Sequence, residues 1–599
     1  MAHAIAVAVE SPLLQLDREF HYLVPPGLEV VPGQRVKFPF GRNKKLLTGF
    51  VTQLLEGSEF ASAEIVGIVD PKPVLRADVL RFARAVADRQ CVALGEILAT
   101  AIPDHMPRVK LPEEDPILPA PEAPQQQIYR QALLDPGRQI IDSQMAVPAW
   151  TSKFIERAET ELAQSRSTIL VVPETSDAEL LADLAKQRGV AVSLWLPGVK
   201  RSERFKAFHG ALDRVCVVVG TRSAIYAPVA NLGLVAVADD LDDSYREVGS
   251  PHTNLRELAL MRAGESASIL FASPYRSVEI QRLVEIGYLT EAESPVAPPR
   301  ISFTEPGLRI DEASFALVRT SLSRGPLLVL LPRKGMASAA WCQSCGERQR
   351  CSCGGFIWEP KQEVFSCRAC GLVHTECQAC KARSFRPGRK ASGRTVAELG
   401  KAFPNAAVME ATADKQPASV GRPNQILIAT PGSAPRIPGG YSALLVLDPD
   451  VWLSAQSLQA EQLALRDWTE AMTLVNPEGR IVISGLGAEL GQPLSLWRHR
   501  EIAAQSLAEA KQLGLPPAVR CLTLTGSASV VGAALAEISD LILRTIGPIS
   551  ETATVTFSYN SGQELARRLR AVALAASARE TASGKQRGLK IAMDDLGIA

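Results

Sequence analysis

From about residue 129 the chain alternates short apolar runs with stretches of helical period. TILVVP, VAVSLWLP, VCVVVG, LGLVAVA and SILFAS form one set, and PLLVLLP, AAVME, QILIAT, ALLVLD and RIVISG form a second. Such runs lack polar alternation, which predicts strands buried on both faces, and the helix-length spacers between them predict parallel pairing. Ten runs are too many for one ordinary sheet, so two α/β lobes are expected. The opening hundred residues have a different rhythm. In HYLVPPGLEVVPGQRVKFPFGRNKKLLTGFV, apolar and polar positions alternate between Pro and Gly turns, predicting a small barrel-like β unit. Helical period follows in VLRFARAVADRQCVALGEILATAI. Residues 103–124 then carry seven prolines among acidic residues and predict an extended linker. The last ninety residues predict a further α/β unit. Its Ala-rich helix around Arg567, Arg568 and Arg570 is either a DNA contact or a solvated face.

Composition narrows the class. With 599 residues and 46% apolar content, the chain has enough material for several cores. The N-terminus lacks a basic segment followed by a long apolar block, so no signal peptide is expected. No run approaches the length of a membrane span, so a cytoplasmic protein without membrane partners is expected. The net charge is only +1, so any nucleic-acid binding has to come from local basic patches.

Eight of the eleven cysteines lie between Cys342 and Cys380, in the order CQSC, CSC, CRAC, CQAC. Thiolate is a soft donor that suits Zn²⁺, and a C-x₂-C knuckle brings two sulfurs to one tetrahedral ion. Eight thiolates fill two closed sites and leave no position for a reacting water, so two structural zinc ions are expected. The alternatives are disulfides, an iron–sulfur cluster or a catalytic metal. The expected sets are Cys342, Cys345, Cys377 and Cys380 for one ion, and Cys351, Cys353, Cys367 and Cys370 for the other. The C-x-C pair is the tight one, and His374 is an alternative to Cys353. Cys91, Cys216 and Cys521 are scattered and expected to be buried apolar residues. The cluster is expected to interrupt the second lobe after its first strand.

FHYLVPPGL, PGQRVKFPFGR, ILVVPE, VVGTRSAIYAP, LVAVADDLDDSY and the split cysteine cluster resemble the PriA family of primosomal replication-restart proteins (primosomal protein N′), above all its actinobacterial-type members with a degenerate ATP site. The resemblance runs over almost the whole chain. It implies an N-terminal domain that binds DNA 3′ ends (1–102), the Pro-rich linker (103–128) and a first RecA-like, doubly wound helicase lobe (129–305). The second lobe (306–340 and 381–505) would carry the zinc-binding insertion (341–380), and a C-terminal α/β domain (506–599) would follow. The interval after residue 102 is too short for the winged-helix domain that family members usually carry there.

The same resemblance locates where an ATP site should be, and there the sequence departs from it. The stretch QMAVPAWTSKF (144–154) has no glycine, and Pro148 removes a backbone donor. Trp150 stands where the phosphate-binding lysine belongs, and only Thr151 survives. In LVAVADDLDD, Ala238 replaces the metal-binding aspartate and Asp239 the glutamate that orients water. RDWTEAMTLVNPEGRIVI has no counterpart to the family's arginine segment. The acidic residues Asp239, Asp240, Asp242 and Asp243 are expected to form a solvated loop.

The DNA candidates lie near the N-terminus. Five basic residues and no acid fall between Arg35 and Lys45, interleaved with Phe38 and Phe40. Arg35, Lys37 and Arg42 are the candidate phosphate contacts. By resemblance, Phe20, His21, Tyr22 and Gly41 form the pocket for a 3′-terminal nucleotide, with His21 replacing an aspartate that accepts from the terminal hydroxyl. Phe20 and Tyr22 share one face of a strand and either stack on a base or belong to the core. The expected function is binding of abandoned or stalled forks and promotion of primosome assembly and replicative-helicase reloading. Forked or single-stranded DNA, primosome proteins and the replicative helicase are the expected partners, and ATP is not expected to be used. The alternative is an active 3′→5′ helicase with an unconventional nucleotide site.

Overall fold

The computed structural model of the chain describes residues 4–111, 128–135, 137–140, 146–294, 296–333, 340–345, 349–353, 355, 357–361, 363–367, 370–386, 391–412, 415, 417, 419–455, 457–546, 551–583 and 588–595. Most of the Pro-rich linker and residues 144 and 145 of the expected nucleotide-site stretch lie outside this set.

The N-terminal unit is an antiparallel sheet in the order Glu19–Leu23, Ala4–Val9, Lys45–Leu55, Arg35–Phe40, Gly67–Ile68. Ala4–Val9 is buried along its whole length because its small aliphatic side chains are covered on both faces. Gly49 is required opposite it, since a Cβ there would sit 2.5 Å from the Ala8 carbonyl oxygen. The two edges curl toward each other. Leu23 N–H donates to the Ala63 oxygen at 2.9 Å and Ile65 N–H to the Leu23 oxygen at 3.1 Å, giving the barrel-like form that the turn pattern implies.

Helices Ala77–Gln90 and Leu94–Ala101 tie this unit to the others. Their apolar side chains, among them Phe82, Val86 and Ile97, share one core with Phe208, Tyr226 and Leu258 of the first lobe. Cys91 reaches instead into the core of the C-terminal unit, beside Leu565 and Leu569. Arg262 donates to Asp78 at 3.1 Å across the first of these seams.

The two lobes are parallel sheets. The first runs Val192–Trp195, Val217–Gly220, Ser167–Val171, Leu232–Ala238, Ser268–Ser273, Arg130–Leu134, Thr290–Ala292. The second runs Arg300–Phe303, Val475–Ile483, Tyr441–Val446, Leu327–Leu330, Gln425–Ala429, Ala407–Ala411. All ten apolar runs are strands of these sheets. The three strands outside those runs, with sequences RQALL, TEA and RISF, carry charges because they lie at or near sheet edges.

Three domain boundaries move. Arg300–Phe303 pairs with Arg480–Ile483, so the second lobe starts before residue 305, and the cysteine cluster follows that lobe's second strand in chain order. The insertion extends to Arg386, because Phe385–Arg386 pairs with Trp341–Cys342. A boundary at 505 would cut the helix His499–Leu513.

The C-terminal unit is an antiparallel sheet, Ile542–Ile546, Thr552–Phe557, Arg520–Thr525, Lys590–Met593, with helices Ala528–Glu537 and Gly562–Ser583. Its arginines divide: Arg567 stays exposed on a solvated helix face, while Arg568 and Arg570 are drawn into protein contacts. Arg570 donates to the Val92 oxygen at 2.8 Å and pairs with Asp17 of the N-terminal unit. Arg568 pairs with Asp540 at 2.7 Å, and Arg567 with Glu564 at 2.7 Å. Among the described residues, no helix is long and apolar enough to cross a membrane.

His499 gives a pH test of this packing. It is buried edge-on to Trp497, with ring centroids 4.5 Å apart, and burial with the nearby Arg276 charge pushes its imidazole down to about 3. An unfolded histidine titrates near 6.5, so the neutral side chain stabilises the fold above that pH. The contribution is lost as pH falls toward 3. Urea unfolding of His499→Phe is expected to lose stability less steeply than the parent between pH 6.5 and 4, by at most about 1.4 kcal/mol per pH unit. Identical slopes would mean that His499 takes up a proton in the folded protein.

Candidate functional site

The insertion brings its eight thiols into two groups of four. Cys342, Cys345, Cys377 and Cys380 form one and Cys351, Cys353, Cys367 and Cys370 the other, with all sulfurs of a group within 4.8 Å. The closest Sγ–Sγ separations are 3.5 and 3.7 Å in the first group and 3.6 and 3.4 Å in the second. Four sulfurs about 2.3 Å from a tetrahedral ion would stand roughly 3.8 Å apart, so the spacing fits such an ion, and it is far too long for disulfides.

Two knuckles close by the same turn. Gly371 N–H donates to the Cys367 oxygen and Lys381 N–H to the Cys377 oxygen, both at 2.9 Å, and both residues have left-handed backbones (φ 72° and 61°). Backbone donors draw some of the thiols, Cys351 and Cys377 among them, toward the thiolate form. The Cys353 N–H, with a side-chain hydrogen bond from His374, draws the Cys351 thiol down to about 6. Burial raises the Cys377 thiol, but the N–H groups of Cys380 and Ala379 and the Gln349 side chain outweigh it and leave it at about 6. Burial pushes Cys91, Cys216 and Cys521 up to about 12, as suits inert thiols. Cys353 therefore stands in the group of four, and His374 acts on Cys351 from outside it.

At the lobe cleft the expected nucleotide residues are buried in protein contacts. Trp150 opens the helix Trp150–Ala163, lies 4.9 Å from Phe154 centroid to centroid, and packs with Leu133 and Leu170. The Thr151 hydroxyl donates to the Pro148 oxygen at 2.7 Å. Ala238 ends the central strand and is fully buried.

The acidic loop after it is not the solvated segment expected. Asp239 is 3% and Asp240 is 4% exposed. Asp239 takes Nε and Nη2 of Arg466 at 2.8 and 2.7 Å and the Tyr275 hydroxyl at 2.7 Å; Arg466 also pairs with Asp242. Asp240 accepts from Arg256 at 3.1 Å and Ser277 at 2.8 Å, and burial holds it up at about 6. Only Asp243 remains well exposed, paired to Arg333 at 3.4 Å.

Arg466 belongs to the second-lobe helix Ala460–Met472, so this cluster bridges the lobes. Arg436 to Asp177 at 3.1 Å and Val278 N–H to Gln462 Oε1 at 3.1 Å extend the seam. The segment RDWTEAMTLVNPEGRIVI, which has no counterpart to the family's arginine segment, supplies this one as a buried ion-pair partner. The clue was Arg466 lying between buried Leu465 and Trp468, since a charge on an apolar helix face requires a partner.

In the N-terminal unit, Phe20, His21, Tyr22 and Gly41 border one cavity of about 950 Å³, with Lys44 and Phe60. Tyr22 is mostly core: it is 6% exposed and donates to the Pro39 oxygen at 3.1 Å. Phe20 is half-buried and stays at the wall. Arg35 is not a phosphate contact. It is 3% exposed, paired with Glu10 at 3.3 Å and Asp70 at 3.2 Å, because it joins the strand to the chain beyond. Lys37 and Arg42 are exposed.

Two parallel lobes in tandem, a cysteine module inside the second and a β unit in front define a multidomain α/β protein with two thiol groups that could hold metal. Residues 6–103 match the family described as 3′DNA-binding domain (3′BD) of PriA. Over 577 aligned residues the chain is 31% identical to the probable replication restart protein PriA of Mycobacterium tuberculosis H37Rv, covering 87% of this chain and 86% of that one. The Treponema pallidum replication restart protein PriA is 26% identical over 401 residues, 61% of this chain and 60% of its own. The chain belongs to the PriA family of replication restart proteins. Solved structures with fainter likeness include RecG bound to a three-way DNA junction, with 13% identity, TM-score 0.35 and coverage of 63% of this chain and 43% of that one. Saccharomyces cerevisiae Dbp5 bound to RNA and ADP BeF₃ has 10% identity, TM-score 0.35 and coverage of 64% and 90%.

Proposed function

We propose that this chain recognises the free 3′ end of DNA at abandoned or stalled replication forks and promotes replication restart without unwinding DNA itself. The observation that carries this reading is the N-terminal cavity, lined by Phe20, His21 and Gly41 within the segment that matches the 3′DNA-binding family. Its lining includes the carboxylates Glu19 and Glu64, which accept a hydrogen bond from a terminal hydroxyl and repel a terminal phosphate. Exposed Lys37, Arg42 and Lys44 neutralise the backbone leading in.

The passive role rests on the lobe cleft. A bound nucleotide would need a backbone cradle and a free carboxylate for Mg²⁺. Trp150 packs where the cradle would begin, and Asp239 is neutralised by Arg466. Zinc is the ion best suited to the two all-thiolate groups, and it would serve to fold the insertion into a surface for DNA or partner proteins. Primosome proteins and the replicative helicase are the partners that this role requires.

The test is fork binding by fluorescence anisotropy, with a 3′-hydroxyl or a 3′-phosphate on the leading-strand end, alongside ATP turnover on the same forks. Preference for the hydroxyl, reduced in His21→Ala, with no DNA-stimulated hydrolysis, is the expected result. Equal affinity for both ends refutes the pocket, and DNA-stimulated hydrolysis refutes the passive role.

A further inference from the structure

The N-terminal cavity has two aromatic walls. On one, Phe20 and Phe40 meet edge to face with centroids 5.2 Å apart, and the Arg18 guanidinium lies 4.8 Å from the Phe20 centroid. On the other stands Phe60, 81% exposed. A lone exposed phenyl ring needs no explanation by itself. This one is tied to its surroundings. Phe60 N–H donates to Ser58 Oγ at 3.2 Å, and the same hydroxyl is hydrogen-bonded to His21 Nδ1 at 2.6 Å. The His21 ring meets the Phe60 ring with centroids 5.9 Å apart at 69°. Ser58 thus bonds both residues, and the phenyl ring at the cavity's border stays largely exposed. Arg18 and Lys44 line the same space, and neither has a carboxylate partner among the described residues. An open aromatic face beside unpaired cations is the combination that binds single-stranded ends, because every base offers a π-face and every linkage a phosphate.

We propose that Phe60 is the platform on which the base of the 3′-terminal nucleotide stacks, making it a specificity residue of this pocket. The assignment rests on the 3′-end reading above. Stacking on a flat face tolerates any of the four bases but requires a base to be present. The probe is therefore a labelled single strand ending in a normal nucleotide or in an abasic tetrahydrofuran residue, with the full chain and its Phe60→Ala and Phe60→Trp variants. Phe60 is exposed, so neither substitution disturbs the core. The parent and Phe60→Trp should bind the base-bearing end about tenfold more tightly than the abasic end. In Phe60→Ala the two ends should bind alike, at the level of the abasic end. If Phe60→Ala keeps the parent's preference for the base, the platform lies elsewhere and the proposal fails while the 3′-end reading stands. If the parent itself does not distinguish 3′-hydroxyl from 3′-phosphate, both fall together.

Discussion

Arg466→Ala is expected to destabilise the two-lobe body by about 3–5 kcal/mol, the range for removing one partner of a buried ion pair. The loss is large because of what the substitution leaves behind. Asp239 and Asp242 have side chains only 4% and 11% exposed, and both face the same guanidinium. Without it, these two and Asp467, which Arg466 Nη1 meets at 2.9 Å, remain in a site poorly reached by water, with only the Tyr275 hydroxyl to satisfy Asp239. Arg466→Lys should recover only part, since one ammonium cannot reproduce the paired Nε and Nη2 bonds to Asp239. Adding Asp239→Asn and Asp242→Asn to Arg466→Ala should restore part of the stability, because two of the three carboxylates left without their partner are then neutral. Urea unfolding followed by tryptophan fluorescence measures all three, as Trp468 sits on the same helix and is fully buried. A loss under about 1 kcal/mol would place the cluster among screened surface pairs. Arg466 supplies a positive charge to these acids and links the two lobes.

The parts of this architecture that were legible in the sequence are those fixed by short-range pattern. The buried runs such as VCVVVG and LGLVAVA fit strands covered on both faces, and the C-x₂-C spacing suits two sulfurs at one centre. What misled was side-chain partnership across long separations. Arg35 looked like a phosphate contact because its neighbours are basic, but its partner Asp70 arrives from beyond the next strand and Pro103 from after two helices. Asp239 and Asp240 looked solvated because four aspartates crowd one loop. Burial became possible only because Arg466, Arg256 and Tyr275 come from other elements. Arg570 looked like part of a basic face and instead reaches Asp17 near the opposite end of the chain. Phe60 drew no notice, since one phenylalanine in a polar turn has no period; only the cavity beside it gives it meaning.

Metal removal should have the largest effect of any treatment, and it should be confined to the insertion. The buried apolar cluster there consists of Ala340, Cys351, Ile357 and Cys367, with Phe365 against it, so two of its members are themselves ligand candidates. Among the described residues, two short antiparallel pairings, Trp341–Cys342 with Phe385–Arg386 and Ile357–Lys361 with Val364–Cys367, add to it. So small a core cannot offset the conformational entropy of the segment. A structural zinc site is worth about 10–16 kcal/mol in small peptides at neutral pH, which is enough. Chelation of the purified chain should therefore release one ion from each of the two groups and open the insertion to limited proteolysis. The lobes, whose cores are separate from it, should keep their cooperative unfolding. Cys353→Ser should reduce the bound metal by half, because Cys353 stands among the four sulfurs of the second group. His374→Ala should leave the metal content unchanged and weaken only the second ion's affinity, because His374 stands outside the four sulfurs of that group. The reverse ranking of these two variants would make His374 the ligand and Cys353 the bystander. Release of a single equivalent from the parent would mean that the C-x-C turn does not close a site at all.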